Sequence, residues 1–178
     1  LIINTNPLLN LVHEGTFQTG EINRIPMLGV HAEGKGVNVS RVLSRLGHHV
    51  TLTGFAGGYS GAWLRQLIRD EGITDCFIET QDPIRVGFMA SSPKDPHPTT
   101  LLPNGFPVSS AECEQLIAKT RDVLRSQPTA LVIISGSIPD PRVAPSYRDL
   151  LNLAQEFEIP FWLDAHGLGA NAGLKAES

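Results

Sequence analysis

Several things are scarce in this sequence, and each scarcity excludes something. Only two of 178 residues are cysteine, Cys76 and Cys113, so no disulfide framework is available and the usage fits a reducing, cytoplasmic setting. No apolar run approaches the roughly 20 residues that a membrane-crossing helix needs. No charged-then-apolar targeting segment opens the chain. Basic residues are outnumbered, 14 Lys and Arg against 18 Asp and Glu, for a formal charge of −4. A general nucleic-acid binder needs the opposite balance to displace counterions. The six histidines fall at 13, 31, 48, 49, 97 and 166 without metal-ligand spacing, so no metal site of the protein's own is expected. Repeats and low-complexity tracts are absent. What remains is 41% hydrophobic with thirty glycines and prolines, the composition of a loop-rich α/β globule with a real core.

Periodicity orders that composition. Val39, Val42, Leu43 and Leu46 recur at helical spacing and stop at Gly47. Val50, Leu52 and Gly54 alternate with Thr51 and Thr53, a strand pattern. The turn Gly57-Gly58-Tyr59-Ser60-Gly61 leads to a helix with Leu64, Leu67 and Ile68 inward, and a short strand is expected at Cys76 to Ile78. Ser109 and Glu112 spell a capping box, with Val108 and Cys113 as its hydrophobic staple. The helix they start turns Cys113, Leu116, Ile117, Thr120 and Leu124 inward. Leu131-Val132-Ile133-Ile134 reads as a strand buried on both faces. A helix with Tyr147, Leu150, Leu151 and Ala154 follows, then a strand over Phe161–Asp164. Strands alternating with helices predict an α/β fold around a mostly parallel sheet, with helices on both faces. Segments 11–30 and 84–103 break the rhythm and predict a small β appendage. Pro93, Pro96, Pro98 and Pro103 mark the second of them as edge structure.

Chemistry concentrates in a few places. Glu33-Gly34-Lys35-Gly36-Val37-Asn38 enters the first helix, where free backbone N–H groups can meet an anion or a hydroxyl. The same residues read equally well as a glycine turn that starts a helix. Gly29 to Lys35 has P-loop spacing, but Gly36 stands where a Ser or Thr should hold Mg²⁺, and Glu33 would put negative charge in the phosphate cradle. The turn from Gly54 to Gly61 lacks dinucleotide-loop spacing and is read as packing. Ser135-Gly136-Ser137-Ile138-Pro139 follows a buried strand, and Asp164 ends another; both belong where open parallel sheets bind ligands. Without G-x-S-x-G or an activating histidine, Ser135 and Ser137 are not read as nucleophiles.

Together, Asn6-Pro7, the run from Glu33 to Leu43, Gly54-Phe55-Ala56-Gly57-Gly58, Arg85, Ser135 to Pro139 and Leu163-Asp164 resemble the ribokinase-like (PfkB) carbohydrate kinases. The resemblance runs along the whole chain, and is nearest to the branch of 1-phosphofructokinases and tagatose-6-phosphate kinases. It implies a Rossmann-type α/β/α sandwich with a small β-sheet lid, segments 11–30 and 84–103 supplying lid strands, and a homodimer formed through the lid. It implies transfer of a phosphoryl group from ATP, with Mg²⁺, to a hydroxyl of a sugar or sugar phosphate such as fructose 1-phosphate, fructose 6-phosphate or tagatose 6-phosphate. Residue by residue, Gly34, Lys35 and Asn38 would line the sugar site. Arg85 and Arg24 would bind the substrate's phosphate, and Ser135 and Ser137 would lie near the substrate. Asn10 stands where the family usually has an aspartate.

Departures shape the expectation. Asn10 is neutral, and Glu33 replaces the first glycine of the family's Gly-Gly pair. The family's ATP region and its G-A-G-D loop with the catalytic aspartate fall beyond Ser178, so residues 1–178 are expected to be the N-terminal part of one ribokinase-like domain. No catalytic residue is then expected in this chain. A kinase-derived sugar-phosphate sensor without catalytic activity is the competing reading, and Asn10 and Glu33 are what motivate it.

Overall fold

The structure, a computed structural model, describes residues 1–94 and 96–174. The chain opens with β1 (Ile2–Asn4), β2 (Leu8–Glu14) and β3 (Met27–Glu33), then α1 (Lys35–Arg45), β4 (Thr51–Gly54), α2 (Gly58–Asp70) and β5 (Thr74–Asp75). Strands β6 (Val86–Ser91) and β7 (Thr99–Leu101) precede α3 (Ser110–Ser126) and β8 (Val132–Ser135). A 3-10 turn at Pro141–Val143 leads into α4 (Ala144–Glu156), followed by β9 (Phe161–Asp164) and α5 (Leu168–Leu174).

Two sheets result. The main one is parallel throughout, in the order β5-β4-β1-β8-β9. Consecutive residues are buried along its centre, Ile2 and Ile3 on β1 and Val132, Ile133 and Ile134 on β8, which requires cover on both faces. At the β9 edge cover is thinner, and Trp162 is 65% exposed. The second sheet runs β3-β2-β6-β7, with β2 and β6 parallel and the outer pairs antiparallel. Among the described residues no helix is long and apolar enough to cross a membrane.

Local signals account for much of this. Ser109 and Glu112 form the reciprocal capping box, and Val108 and Cys113 beside it are both buried. Tyr147, Leu150, Leu151 and Ala154 all face the core from α4.

Three details differ from the sequence pattern. On α1 the buried residues are Gly36, Val37 and Ser40, while Val42 and Leu46 are exposed. Val39 and Leu43 pack partly buried against the core as expected, but the fully buried contacts come from Gly36, Val37 and Ser40, two of them too small for a count of large apolar side chains to register. A Cβ on Gly36 would come 2.6 Å from Asn4 Cβ, so glycine lets the helix lie directly against β1. The strand expected at Cys76 to Ile78 is instead β5 at Thr74–Asp75, with one bridge from Ile78 to Phe55 beyond it. Finally, segment 84–103 supplies an edge strand in β7, as its prolines imply, but β6 is not one. It pairs on both sides, and Pro93, Pro96, Pro98 and Pro103 lie outside the strands, where no ladder N–H is needed.

Candidate functional site

Four neighbouring strands of the main sheet end together: β4 at Gly54, β1 at Asn4, β8 at Ser135 and β9 at Asp164. Chain order reverses between β1 and β8, and such a reversal opens a crevice at the carboxyl ends of the strands. Helix α1 starts at the same place, with Gly34 as its cap.

Lys35 and Asp164 meet across this crevice, Nζ to Oδ1 at 2.9 Å, and the Ser135 hydroxyl donates to the other Asp164 oxygen at 3.1 Å. The bond from Lys35, with help from Ser135, holds the Asp164 carboxyl below the usual carboxylate range. Lys35 and Asp164 remain more than half exposed, so both stay within reach of a ligand.

Beneath them lies a residue that the motifs did not single out. Asn4 is fully buried, yet neither Oδ1 nor Nδ2 has a hydrogen-bond partner among the described residues. Glycines enclose it. A Cβ at Gly34 would sit 2.4 Å from Asn4 Nδ2, and one at Gly136 would sit 2.9 Å from Oδ1. At Gly54 the clash would be with the Asn4 carbonyl oxygen itself. The signal available in the sequence was the placement of those glycines at element ends, together with an asparagine closing an apolar strand. Asn6 donates through Nδ2 to Ser137 Oγ at 2.9 Å, leaving its own Oδ1 buried and unpaired. Asn10, on β2, is also buried with Oδ1 unpaired. An unmade buried hydrogen bond costs about 1–3 kcal/mol, so three such carboxamides between Asn4 and Asn10 single out this stretch of chain as a candidate binding region.

Arg85 stands just ahead of β6, at the base of the second sheet. Its Nη2 donates to the Asn6 carbonyl at 3.0 Å and its Nη1 to the Pro103 carbonyl at 3.1 Å, while Nε is buried without a partner. Burial lowers the pKa of this guanidinium, and among the described residues no carboxylate pairs with it. On α1, Asn38 is exposed and accepts at Oδ1 from Arg41 at 2.9 Å. Arg24 is placed elsewhere. The β2–β3 pairing runs from Leu8 opposite Glu33 to His13 opposite Met27, and Arg24 is exposed in the connection at the far end. A seven-residue strand spans roughly 20 Å, so the structure does not bring Arg24 to Arg85.

Comparison with known proteins bears on this arrangement. The model for "pfkB family carbohydrate kinase" matches residues 7–175. The chain belongs to the pfkB family of carbohydrate kinases. It is 30% identical over 175 residues to 1-phosphofructokinase of Escherichia coli (strain K12), covering 98% of this chain and 55% of that one. With tagatose-6-phosphate kinase of Staphylococcus epidermidis it shares 28% identity over 170 residues, 94% of this chain and 53% of the relative. The crystal structure of a Thermotoga maritima protein described as a possible 1-phosphofructokinase superposes with a TM-score of 0.87 at 26% identity, over 98% of this chain and 56% of that one. The chain thus spans about half the length of the curated relatives it matches. The fold is that of the ribokinase-like phosphofructokinases, and the parallel sheet with its glycine-lined crevice is the portion of the pfkB fold these residues provide.

Family membership raises the matter of ATP and Mg²⁺. Among the described residues no three His, Cys, Asp or Glu side chains gather in a way that could hold a metal ion. Asp164 is engaged by Lys35 and Ser135, so these residues do not by themselves fit a Mg²⁺ site. The chemistry they can perform is charge and hydrogen bonding toward a polar ligand.

Proposed function

We propose that the protein to which these residues belong transfers the γ-phosphoryl group of ATP to a hydroxyl of a sugar phosphate, of the fructose 1-phosphate, fructose 6-phosphate or tagatose 6-phosphate kind. Residues 1–178 supply the acceptor-binding side. The observation that carries this reading is Arg85: a half-buried guanidinium that, among the described residues, bonds only to the carbonyl oxygens of Asn6 and Pro103 and leaves its buried Nε unpaired. Such a cation is poised for a phosphate, which guanidinium geometry matches with paired bonds. In this reading Asn10, Gly34, Lys35, Asn38, Ser135 and Ser137 surround the sugar, and Arg85 anchors its phosphate. The ATP site and the carboxylate that takes the hydroxyl proton belong to residues beyond this chain. Segments 11–30 and 84–103 act as a lid, and its face opposite Asn10 is where a second copy would dock. Val30, Leu11, Phe88 and Leu101 lie in register across that face, and sedimentation at graded concentration checks the dimer.

The test is an ATP-consumption assay of the full-length protein with the three sugar phosphates. Turnover with at least one is expected, and none with any of them overturns the reading. Substituting Arg85→Ala removes a charge-assisted bond, worth about 1.5–3 kcal/mol or roughly 10- to 150-fold in affinity. That loss should fall on the phosphorylated sugar, with the unphosphorylated one nearly unaffected. Equal losses for both would mean Arg85 does not hold the phosphate.

A further inference from the structure

Arg41 takes no part in the site as described, yet four of the five N–H groups of its guanidinium are engaged. Nε donates to one carboxylate oxygen of Glu71 and Nη2 donates to the other at 2.8 Å. Nη2 also donates to the Ala32 carbonyl at 2.9 Å, and Nη1 donates to Asn38 Oδ1 at 2.9 Å. A two-pronged carboxylate contact fixes the plane of a guanidinium, and so the direction of its remaining N–H groups. Glu71 itself stands at the C-terminal end of α2, so two helices and β3 converge on one side chain.

The consequence falls on Asn38. An arginine only donates, so the Asn38 atom facing it has to be the oxygen, and the amide orientation follows from chemistry alone. Among the described residues Nδ2 then has no hydrogen-bond partner. We propose that Arg41 is a positioning residue, which holds Asn38 as a hydrogen-bond donor, so that position 38 recognises an acceptor atom of the sugar phosphate. A free asparagine could turn either face to a ligand; this one offers only N–H. No side-chain hydrogen bond among the described residues fixes the Asn10 amide in the same way, so Asn10 can turn either face to a ligand. Arg41 also fixes the neighbourhood of Asn10, because Ala32 adjoins His31, the residue opposite Asn10 on β3. One guanidinium thus ties the polarity of the α1 side of the crevice to the placement of the second sheet.

The inference rests on the sugar-phosphate reading, and the experiment separates the two. Full-length wild type, Arg41→Met, Asn38→Ala and the double variant are compared for KM and kcat with the sugar phosphate that the wild type uses best. Arg41→Met is expected to raise KM for the sugar phosphate about tenfold, with kcat and KM for ATP within twofold. Asn38→Ala should do the same, and the double variant should be no worse than Asn38→Ala alone. Multiplying losses would mean Arg41 acts only as scaffold and would overturn the proposal. Should Arg41→Met fail to fold, Arg41→Lys keeps the charge without the fork and is expected to show an intermediate rise in KM. Asn38→Asp still accepts from Arg41 but cannot donate, so it should lose at least as much as Asn38→Ala. Asn38→Asp retaining wild-type KM refutes the donor assignment. A wild type that turns over no sugar phosphate refutes the function reading instead.

Discussion

Replacing Gly34 by alanine tests the central geometric claim, that glycines are there to enclose Asn4. Gly34 caps α1 at φ 136° and ψ 152°, a conformation essentially reserved for glycine. Forcing a Cβ-bearing residue into it costs about 1–3 kcal/mol before any contact is considered. The new Cβ would then lie 2.4 Å from Asn4 Nδ2. Asn4 has little room to retreat, since Gly36 and Gly136 border it elsewhere and the residue is fully buried. Overpacking of this kind adds about 1–3 kcal/mol, for a total of about 2–6 kcal/mol. In a protein of this size or larger that lowers the thermal midpoint by roughly 10 °C. The control is Gly47→Ala. Its φ is +86°, but nothing lies within 4 Å of the added carbon, so only the backbone term of about 1–2 kcal/mol applies. Urea unfolding of both variants in the full-length protein, read as midpoints at constant slope, measures the difference. A second lever is Asn4→Ala in the Gly34→Ala background, which removes the clashing amide and should recover part of the loss. Equal destabilisation by Gly34→Ala and Gly47→Ala would refute the enclosure argument, because it would leave strain alone as the cause.

Two further outcomes follow from the titratable groups. Tyr147 is fully buried with its hydroxyl 2.9 Å from Thr5 Oγ1, and burial pushes the phenol up to about 12. Its folded form holds the proton that the unfolded chain gives up from pH 10.0, so stability should fall between pH 10 and 12. Tyr147→Phe should flatten that fall while costing about 1 kcal/mol near neutrality, and denaturant midpoints measured across the alkaline range check both. Asp140 behaves in the opposite sense. The Arg142 guanidinium at 2.6 Å holds its carboxyl down at about 2, so its contribution is complete above 3.8 and is lost as pH falls through about 2. Asp140→Asn should leave stability at pH 7 slightly lower and make the acid limb shallower; an unchanged acid limb would contradict the assignment.

Legibility in the sequence tracked the range of the interaction. The α3 capping box was readable because both partners lie within one turn and each has a distinctive residue type. The buried run of β8 was readable because continuous β-branched apolar residues have few other uses. The face of α1 was readable only in part, through Val39 and Leu43, since Gly36 and Ser40 make contact by being small, and no hydropathy count rewards smallness. Likewise the prolines near 93–103 suggested an edge, whereas only pairing across the fold shows that β6 has neighbours on both sides. Among candidate site residues, Gly34 caps the helix that Lys35 begins, and Lys35 and Ser135 both bond to Asp164. Asn4 escaped notice because a three-residue strand offers too little context to distinguish a ligand-facing amide from a strand cap.

By itself, then, the sequence determined the class of fold, the alternation that builds a parallel sheet, and membership of a carbohydrate-kinase family, because periodicity and short motifs are local properties of the chain. Tertiary structure decided which polar groups are left wanting. Asn4, Asn6 and Asn10 are ordinary asparagines until folding removes their water and supplies too few partners. Arg85 stands out only because burial lowers its pKa while, among the described residues, no carboxylate pairs with it, and the orientation of the Asn38 amide is set only where Arg41 donates to its oxygen. Desolvation and pairing depend on residues distant in sequence, which is why polarity at the site belongs to the fold rather than to the motifs.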